Sequence, residues 1–300
     1  MSIYVEIGMQ AAMDELWRFT QSPDLHARWD LRFTSIEYCP RAAAAAPQQF
    51  LYTTRVGFGI AIEGEGETVG TRDDGQGGRS SALRFWSGDP KSLILEGSGY
   101  WKYISAEGGV RFLTLYDYRT RFGALGRLAD RVAFRPLLGW ATAWSFDRLR
   151  LWLDKGIEPS VSMQRSVVHA VARLALAFVW LYQGIVPKLL WRASGELELL
   201  REAGLSPGWD GIALTGLGLG ETVMGLLTLV FWRRREMLLV TMCALAVLSI
   251  GAGLGGARVL TAPFNPVVLN VALLGLALVG LVSSRDLPSA SRCLRRPAGE

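Results

Sequence analysis

The sequence predicts two folding units, an α+β domain over the first half of the chain and an all-α bundle of four transmembrane helices over the second. The chain has 300 residues, more than the roughly 100 to 200 of one domain. Half of the residues are hydrophobic, and the mean hydropathy is +0.23. Residues 1–160 carry 19 Lys/Arg and 19 Asp/Glu, whereas residues 161–300 carry 13 and 8, so the excess positive charge lies in the apolar half.

The first half alternates as strands do. An opening strand (Ser2–Ile7) precedes two short helices, Ala11–Thr20 and Pro23–Trp29, and six alternating strands follow. One face of these strands is apolar and the other charged, as in an antiparallel sheet with one solvated side. The stretch Gly123–Lys155 then predicts a long helix, broken at Pro136, whose apolar residues cover the sheet. In its first half these are Leu125, Leu128 and Val132.

Two early segments, MDELW at 13–17 and DLHARWD at 24–30, accompany this order of strand, two helices, six strands and long helix. Together they resemble the START-like helix-grip superfamily, which includes polyketide cyclases (SRPBCC proteins) and lipid-transfer domains. The resemblance implies a cavity between sheet and helix that holds a hydrophobic or aromatic ligand. The alternative is a filled core. The candidate lining residues are Tyr52, Phe58, Phe85, Trp101, Tyr103, Phe112 and Tyr116.

The second half contains four apolar stretches near the ~20 residues that cross a bilayer as a helix. No Asp, Glu, Lys or Arg lies between Glu236 and Arg258 or between Arg258 and Arg285, which a surface helix of a soluble protein would not tolerate. The predicted spans are Ser166–Leu190, Gly211–Trp232, Met237–Ala257 and Asn265–Ser284.

The positive charges flanking the spans predict their orientation, because cytoplasmic loops are enriched in Lys and Arg. Residues 233–235 are three consecutive arginines between the second and third spans, and the C-terminal tail carries four more. The N-terminus does not read as a secretory signal peptide. The sequence therefore predicts a protein of the bacterial inner (plasma) membrane with both termini and the first domain in the cytoplasm.

Ionisable residues within the spans mark candidate sites, because charge in lipid requires a partner. The intramembrane polar residues are His169, Arg173 and Lys188 in the first span and Glu221 in the second. By rise per residue, Arg173 lies close enough in depth to reach Glu221, and the two are predicted to pair. The pair is either a structural salt bridge or part of a site for quinone, proton or ligand.

Arg173, Gly184 and Lys188, Glu221 followed by Gly225, and the four-helix layout resemble DoxX-like membrane proteins over roughly residues 165–285. The resemblance implies the architecture. It also implies a link to quinone-dependent oxidoreductases, because some DoxX-like proteins are small subunits of such enzymes.

The sequence lacks the residue patterns required for metal binding, nucleophilic catalysis and nucleic-acid binding. The three cysteines lie far apart and the two histidines fall in different halves, which argues against a metal centre. No catalytic Ser/His/Asp or Cys/His set is suggested, so a binding protein is favoured over an enzyme. His26 is either a cavity polar group or base, or, as we favour, a partly exposed helix residue. Basic residues do not alternate with aromatics, so nucleic acid is excluded as a partner.

The predicted organisation is a START-like domain (1–158), a linker (159–165), a DoxX-like four-span domain (166–286) and a basic cytoplasmic tail (287–300). The predicted function is to bind or transfer a hydrophobic ligand, lipid or quinone-like, at the membrane, with membrane lipids and the small molecule as partners. The alternatives are a subunit of a quinone-linked oxidoreductase, whose redox centres belong to a partner protein because this chain supplies no cofactor ligands, and a structural membrane subunit.

Overall fold

The computed structural model describes residues 2–41, 43, 46–75, 77–193, 195–202, 204–254, 260–261 and 265–297. The predicted loop residue Arg258 lies outside these ranges. The chain forms two compact units. One comprises Met1–Ser162 together with Pro288–Glu300, and the other comprises Met163–Leu287.

The first unit contains a seven-stranded sheet in which every neighbouring pair is antiparallel, in the order β1-β7-β6-β5-β4-β3-β2. Helices α1 (Met13–Gln21) and α2 (Pro23–Trp29) follow β1, and Pro23 in the first turn of α2 needs no hydrogen-bond partner for its nitrogen. The strands are β1 (Ile3–Met9), β2 (Ser35–Tyr38), β3 (Gln49–Gly57), β4 (Ile60–Asp73), β5 (Arg79–Trp86), β6 (Ile94–Ala106) and β7 (Gly109–Thr120).

A long helix, α4 (Arg135–Lys155), packs against the inner face of this sheet. Phe112 of β7 and Phe146 of α4 stack with ring centroids 4.5 Å apart, and both are fully buried. Tyr103 of β6 lies next to Phe112, at 5.0 Å between centroids. The predicted α+β helix-grip fold is confirmed by this arrangement of sheet and helix.

The break in the long helix lies one turn before the predicted position. Helix α3 (Gly123–Ala129) passes into a π-helical turn, Asp130–Phe134, and Pro136 sits in the first turn of α4. The hydroxyl of Tyr118 donates to Asp130 at 2.5 Å, so this acid points inward. The prediction that Leu125, Leu128 and Val132 cover the sheet is wrong, because all three are at least 60% exposed.

The C-terminal segment belongs to the first unit. Leu294 pairs with Glu6 of β1 through two backbone hydrogen bonds of 2.9 Å. Asp147 of α4, which has no exposed surface, accepts hydrogen bonds of 2.7 Å from the backbone nitrogen of Ser289 and from Arg292. Residues 288–297 are thus held by the same helix and strand that form the core.

The described residues of the second unit include four helices long and apolar enough to cross a membrane, at the four predicted places. Leu176 and Trp180 of the first pack with Leu238, Leu245 and Ala277 in one buried cluster. The helices are α5 (Pro159–Gln183), continued by a π-helical segment Gly184–Leu190, then α6 (Glu196–Glu202), α7 (Asp210–Val230), α8 (Glu236–Leu254) and α9 (Pro266–Ser283).

We expect Asp147→Ala to destabilise the first unit by about 2–3 kcal/mol, because it leaves the Ser289 nitrogen and two arginines without their buried acceptor. For a unit of this size the melting temperature should fall by roughly 5–10 °C, measured by tryptophan fluorescence of the purified chain. Glu96→Ala removes the exposed Glu96–Arg119 pair and should change it far less. Equal effects of the two substitutions would contradict this account.

Candidate functional site

The first unit contains a cavity of about 660 Å³ between the inner face of the sheet, the segment that follows α2, and the first turns of α4. This volume is in the range of sites for drug-sized ligands. Its wall is mostly apolar and aromatic. Its apolar lining residues include Phe33, Ile36, Phe50, Ile62, Leu83, Leu93 and Leu138.

Glycines in the neighbouring strands explain why the cavity is not filled. Gly64 of β4 lies opposite Tyr52 of β3, and a Cβ at position 64 would overlap the Tyr52 ring. The ring therefore lies flat on the sheet where a side chain would otherwise stand. Gly66 accommodates Phe50 in the same way, and Gly97 accommodates Phe85. These rings form a wall close to the sheet and leave the space beyond them open.

The structure divides the seven predicted ligand-binding residues into three groups. Tyr52, Phe85, Trp101 and Tyr116 line the cavity. Tyr103 and Phe112 are fully buried in the packed core and do not line it. Phe58 lies in the turn between β3 and β4 with a positive φ of 50°, and its side chain is completely exposed.

A buried polar cluster stands in this apolar wall. Asp30, directly after the last residue of α2, is 1% exposed and receives Nε and Nη2 of Arg32 at 2.9 and 2.6 Å. His26, one turn earlier on the same helix face, places Nε2 3.1 Å from Oδ2 of that carboxylate, the oxygen that also receives Nη2 of Arg32. Both His26 and Arg32 line the cavity. His26 is thus a cavity residue, and its side chain is only 12% exposed.

The cluster fixes the charge of its members. Burial would raise the pKa of Asp30, but the Arg32 guanidinium and the His26 hydrogen bond outweigh burial and hold that pKa well below its usual range. For His26, burial lowers the pKa, and the hydrogen bond that the ring donates to Asp30 offsets this only in part. Burial also raises the pKa of Tyr52 to about 12. At neutral pH the cavity therefore presents an ionised Asp30–Arg32 pair and a neutral imidazole.

The second unit holds a buried ion pair. Lys188 Nζ lies 3.0 Å from Oε2 of Glu221 and 3.5 Å from Glu196, and Lys188 and Glu221 are 6% and 8% exposed. Gly184 and Gly218 bring the two helix backbones together there, because a Cβ at position 184 would overlap the Gly218 carbonyl region. Lys188 lies within the π-helical segment, a distortion that often accompanies functional sites.

The predicted Arg173–Glu221 pair is wrong. Arg173 is fully buried and donates to the backbone carbonyls of Thr228, Phe231 and Arg234 at 3.1, 3.1 and 2.5 Å. Thr228 lies in the last turn of α7, whose carbonyls have no partner within the helix and form its negative end, and Phe231 and Arg234 belong to the connection that follows. His169 lies one turn earlier, with its ring nitrogens 3.0 Å from the Gly280 carbonyl and 3.3 Å from that of Trp232.

Sequence reasoning did not select Arg32 or the sheet glycines as site residues. Arg32 comes two residues after the quoted segment 24–30, and its position gives no sign that it turns back onto Asp30. The glycines did leave a signal, since Gly64, Gly66, Gly97 and Gly99 fall on alternate positions of the apolar face.

Fold and site together define a membrane protein in which a helix-grip domain with a cavity between sheet and helix is joined to a unit of apolar helices. Residues 177–278 match the model of the DoxX-like family. A relative in Bacillus subtilis (strain 168), the uncharacterized membrane protein YndG, is 51% identical over 183 residues, which make up 61% of this chain and 68% of the relative. The chain belongs to the family of this membrane protein, and its membrane unit is DoxX-like.

Solved structures similar to this chain match about half of it. The STAR-related lipid transfer protein (fragment 25–204) from Xanthomonas axonopodis has 15% identity and a TM-score of 0.40, covering 51% of this chain and 85% of that one. The di-domain ARO/CYC StfQ from the steffimycin biosynthetic pathway has 16% identity and a TM-score of 0.41, covering 52% of this chain and 50% of that one.

The lowered pKa of His26 predicts that acid destabilises the first unit. A free histidine has a pKa near 6.5, so below about pH 6.5 the unfolded chain binds a proton that the folded chain does not, and stability falls. We expect the melting temperature to fall between pH 7 and pH 5 by less in His26→Phe than in the wild type. Identical pH dependence in the two proteins would show that His26 is not held neutral by the fold.

The Lys188–Glu221 contact predicts coupling between the two positions. Lys188→Leu leaves the Glu221 carboxylate without its cation and should cost about 3–5 kcal/mol. The double variant Lys188→Leu/Glu221→Leu removes both charges and should recover most of that loss in thermal-unfolding measurements of the purified chain. A double variant that is no more stable than the single one would contradict the pairing.

Proposed function

We propose that the protein binds a hydrophobic small molecule, a lipid or a quinone-like compound, in the cavity of its first unit, and that the membrane unit holds this domain at the bilayer. The cavity itself carries the proposal. It offers about 660 Å³ behind a mostly apolar wall, which water solvates poorly, together with a few fixed polar groups that can orient a guest. Transfer would then consist of movement of this ligand between the cavity and the lipid bilayer.

We place the first unit and both termini in the cytoplasm of a bacterial cell, at the inner membrane. The support is the distribution of positive charge. Arg233, Arg234 and Arg235 lie at the α7–α8 connection, which four spans place on the same side as the first unit. The loop that contains α6 carries more acids than bases and faces the other side in this topology.

The second candidate function, a subunit of a quinone-linked membrane oxidoreductase, is supported by the buried Lys188–Glu221 pair. Ionisable pairs within spans often mark proton or substrate pathways. No group of three or more His, Cys, Asp or Glu side chains that could hold a metal occurs among the described residues, so in this case a redox partner protein would supply the metal centres.

The binding proposal is tested by what the full chain retains on gentle extraction into detergent, identified by mass spectrometry. Gly64→Ala is the informative variant, because its Cβ can only push the Tyr52 ring into the cavity. Overpacking of about 1–3 kcal/mol should lower retention of the cavity ligand roughly 5- to 150-fold.

The variant Gly64→Ala/Tyr52→Ala removes the displaced ring and should restore retention, while lipids bound around the membrane unit stay equal in all three proteins. A chain that retains no small molecule sensitive to Gly64→Ala would contradict the proposal. That result would mean that the first unit is a packed or purely structural domain. Quinone-dependent electron transfer in the complete complex would then favour the second candidate function.

A further inference from the structure

The hydrogen bonds around His26 determine which ring nitrogen carries the proton. Asp30 is ionised beside Arg32, and a carboxylate can only accept hydrogen bonds. Nε2 of His26, 3.1 Å from Asp30, is therefore the protonated nitrogen. Because a neutral imidazole carries one proton, Nδ1 is left with a free lone pair and is a hydrogen-bond acceptor.

Nδ1 has no hydrogen-bond partner within the described part of the chain. It is also not among the unpartnered side-chain atoms there that are fully buried, so a ligand atom can reach it. The ring cannot turn to find one, since it stacks on Trp29 at 4.9 Å and meets the edges of Phe33 and Trp101 at 5.1 and 5.0 Å between centroids. The acceptor therefore remains available at the cavity.

Three hydroxyl groups of the cavity wall give their hydrogens to protein oxygens. Thr54 donates to the Arg32 carbonyl and Thr114 to the Tyr100 carbonyl. Thr142, outside the wall, donates to the Leu138 carbonyl, so the Tyr116 hydroxyl donates to Thr142. These three hydroxyl groups have therefore already donated their hydrogens to other acceptors, and none of them is left to donate to Nδ1 of His26.

We propose that the ligand carries a hydroxyl group, as an alcohol or a phenol, which donates a hydrogen bond to Nδ1 of His26. This inference rests on the proposed binding function and names the class of ligand. A hydrocarbon or an ether would leave Nδ1 buried and unsatisfied. A carboxylate would place its own lone pairs against that of Nδ1, close to the negative charge of Asp30.

The other charged groups nearby do not reverse this preference. The charge of Arg32 is balanced by Asp30. Arg148 points its guanidinium at the Pro159 carbonyl, at 2.9 Å, and is not part of the cavity wall. Lys91 and Arg55 line the cavity with exposed side chains, and Lys91 pairs with Asp89 at 3.2 Å.

Three probes of nearly equal size test the inference on the full chain in lipid nanodiscs: 2-naphthol, 2-methoxynaphthalene and 2-naphthoate. Their affinities are measured at pH 7.5 by quenching of tryptophan fluorescence, with empty nanodiscs correcting for partition into lipid. We expect 2-naphthol to bind about tenfold more tightly than 2-methoxynaphthalene, and 2-naphthoate to bind most weakly. This comparison needs no variant.

His26→Phe should abolish the preference for 2-naphthol over 2-methoxynaphthalene, because it removes the acceptor. Asp24→Asn, an exposed substitution in the same helix, should keep the preference. Equal binding of the three probes to the wild type, or a preference that survives in His26→Phe, would overturn the inference while leaving the cavity a binding site. Binding of none of the probes would count against the proposed function as well.

Discussion

The rest of the structure depends on one constraint: the residues after the last apolar helix pack into the first unit, together with the N-terminal part of the chain. The buried carboxylate of Asp147 and the backbone of Glu6 hold residues 288–297, which follow the last membrane span, against the helix and strand that form the soluble core. A water-soluble fold cannot be assembled from segments on opposite sides of a bilayer. The proposed topology, in which the chain leaves and re-enters on one side, meets this requirement with the four apolar helices found among the described residues.

Within that unit, the cavity results from a local rule of sheet packing. A glycine opposite an aromatic residue lets the ring lie on the backbone, and repetition at Gly64, Gly66 and Gly97 thins the inner layer of the sheet where helix α4 begins. Further along the helix, Phe146 fills the equivalent space with its stacked partner Phe112. The same fold is thus packed at one end and open at the other, and the open end carries the fixed polar cluster of Asp30, Arg32 and His26.

The spans and the order of elements could be predicted because they depend on properties that the sequence displays directly. Lipid requires apolar residues around the whole helix, and a half-buried sheet requires alternation. The alternation of a strand predicts which face of the sheet a side chain occupies, but not which part of the covering helix it meets. Tyr103 and Tyr52 therefore have the same pattern in the sequence, although only Tyr52 lines the cavity. The partner of Arg173 could not be predicted by matching charged side chains, because it consists of backbone carbonyls at a helix end.

The topology is tested most directly by labelling single introduced cysteines with a membrane-impermeant maleimide in right-side-out vesicles, in a background in which Cys39, Cys243 and Cys293 are all replaced by serine. The account predicts that cysteines at Asp24 and at Arg296 are protected until the membrane is opened, whereas a cysteine at Glu198, in the loop that contains α6, is labelled at once. Labelling of Asp24 and Arg296 from opposite sides, or of Glu198 from the same side as both, would contradict it.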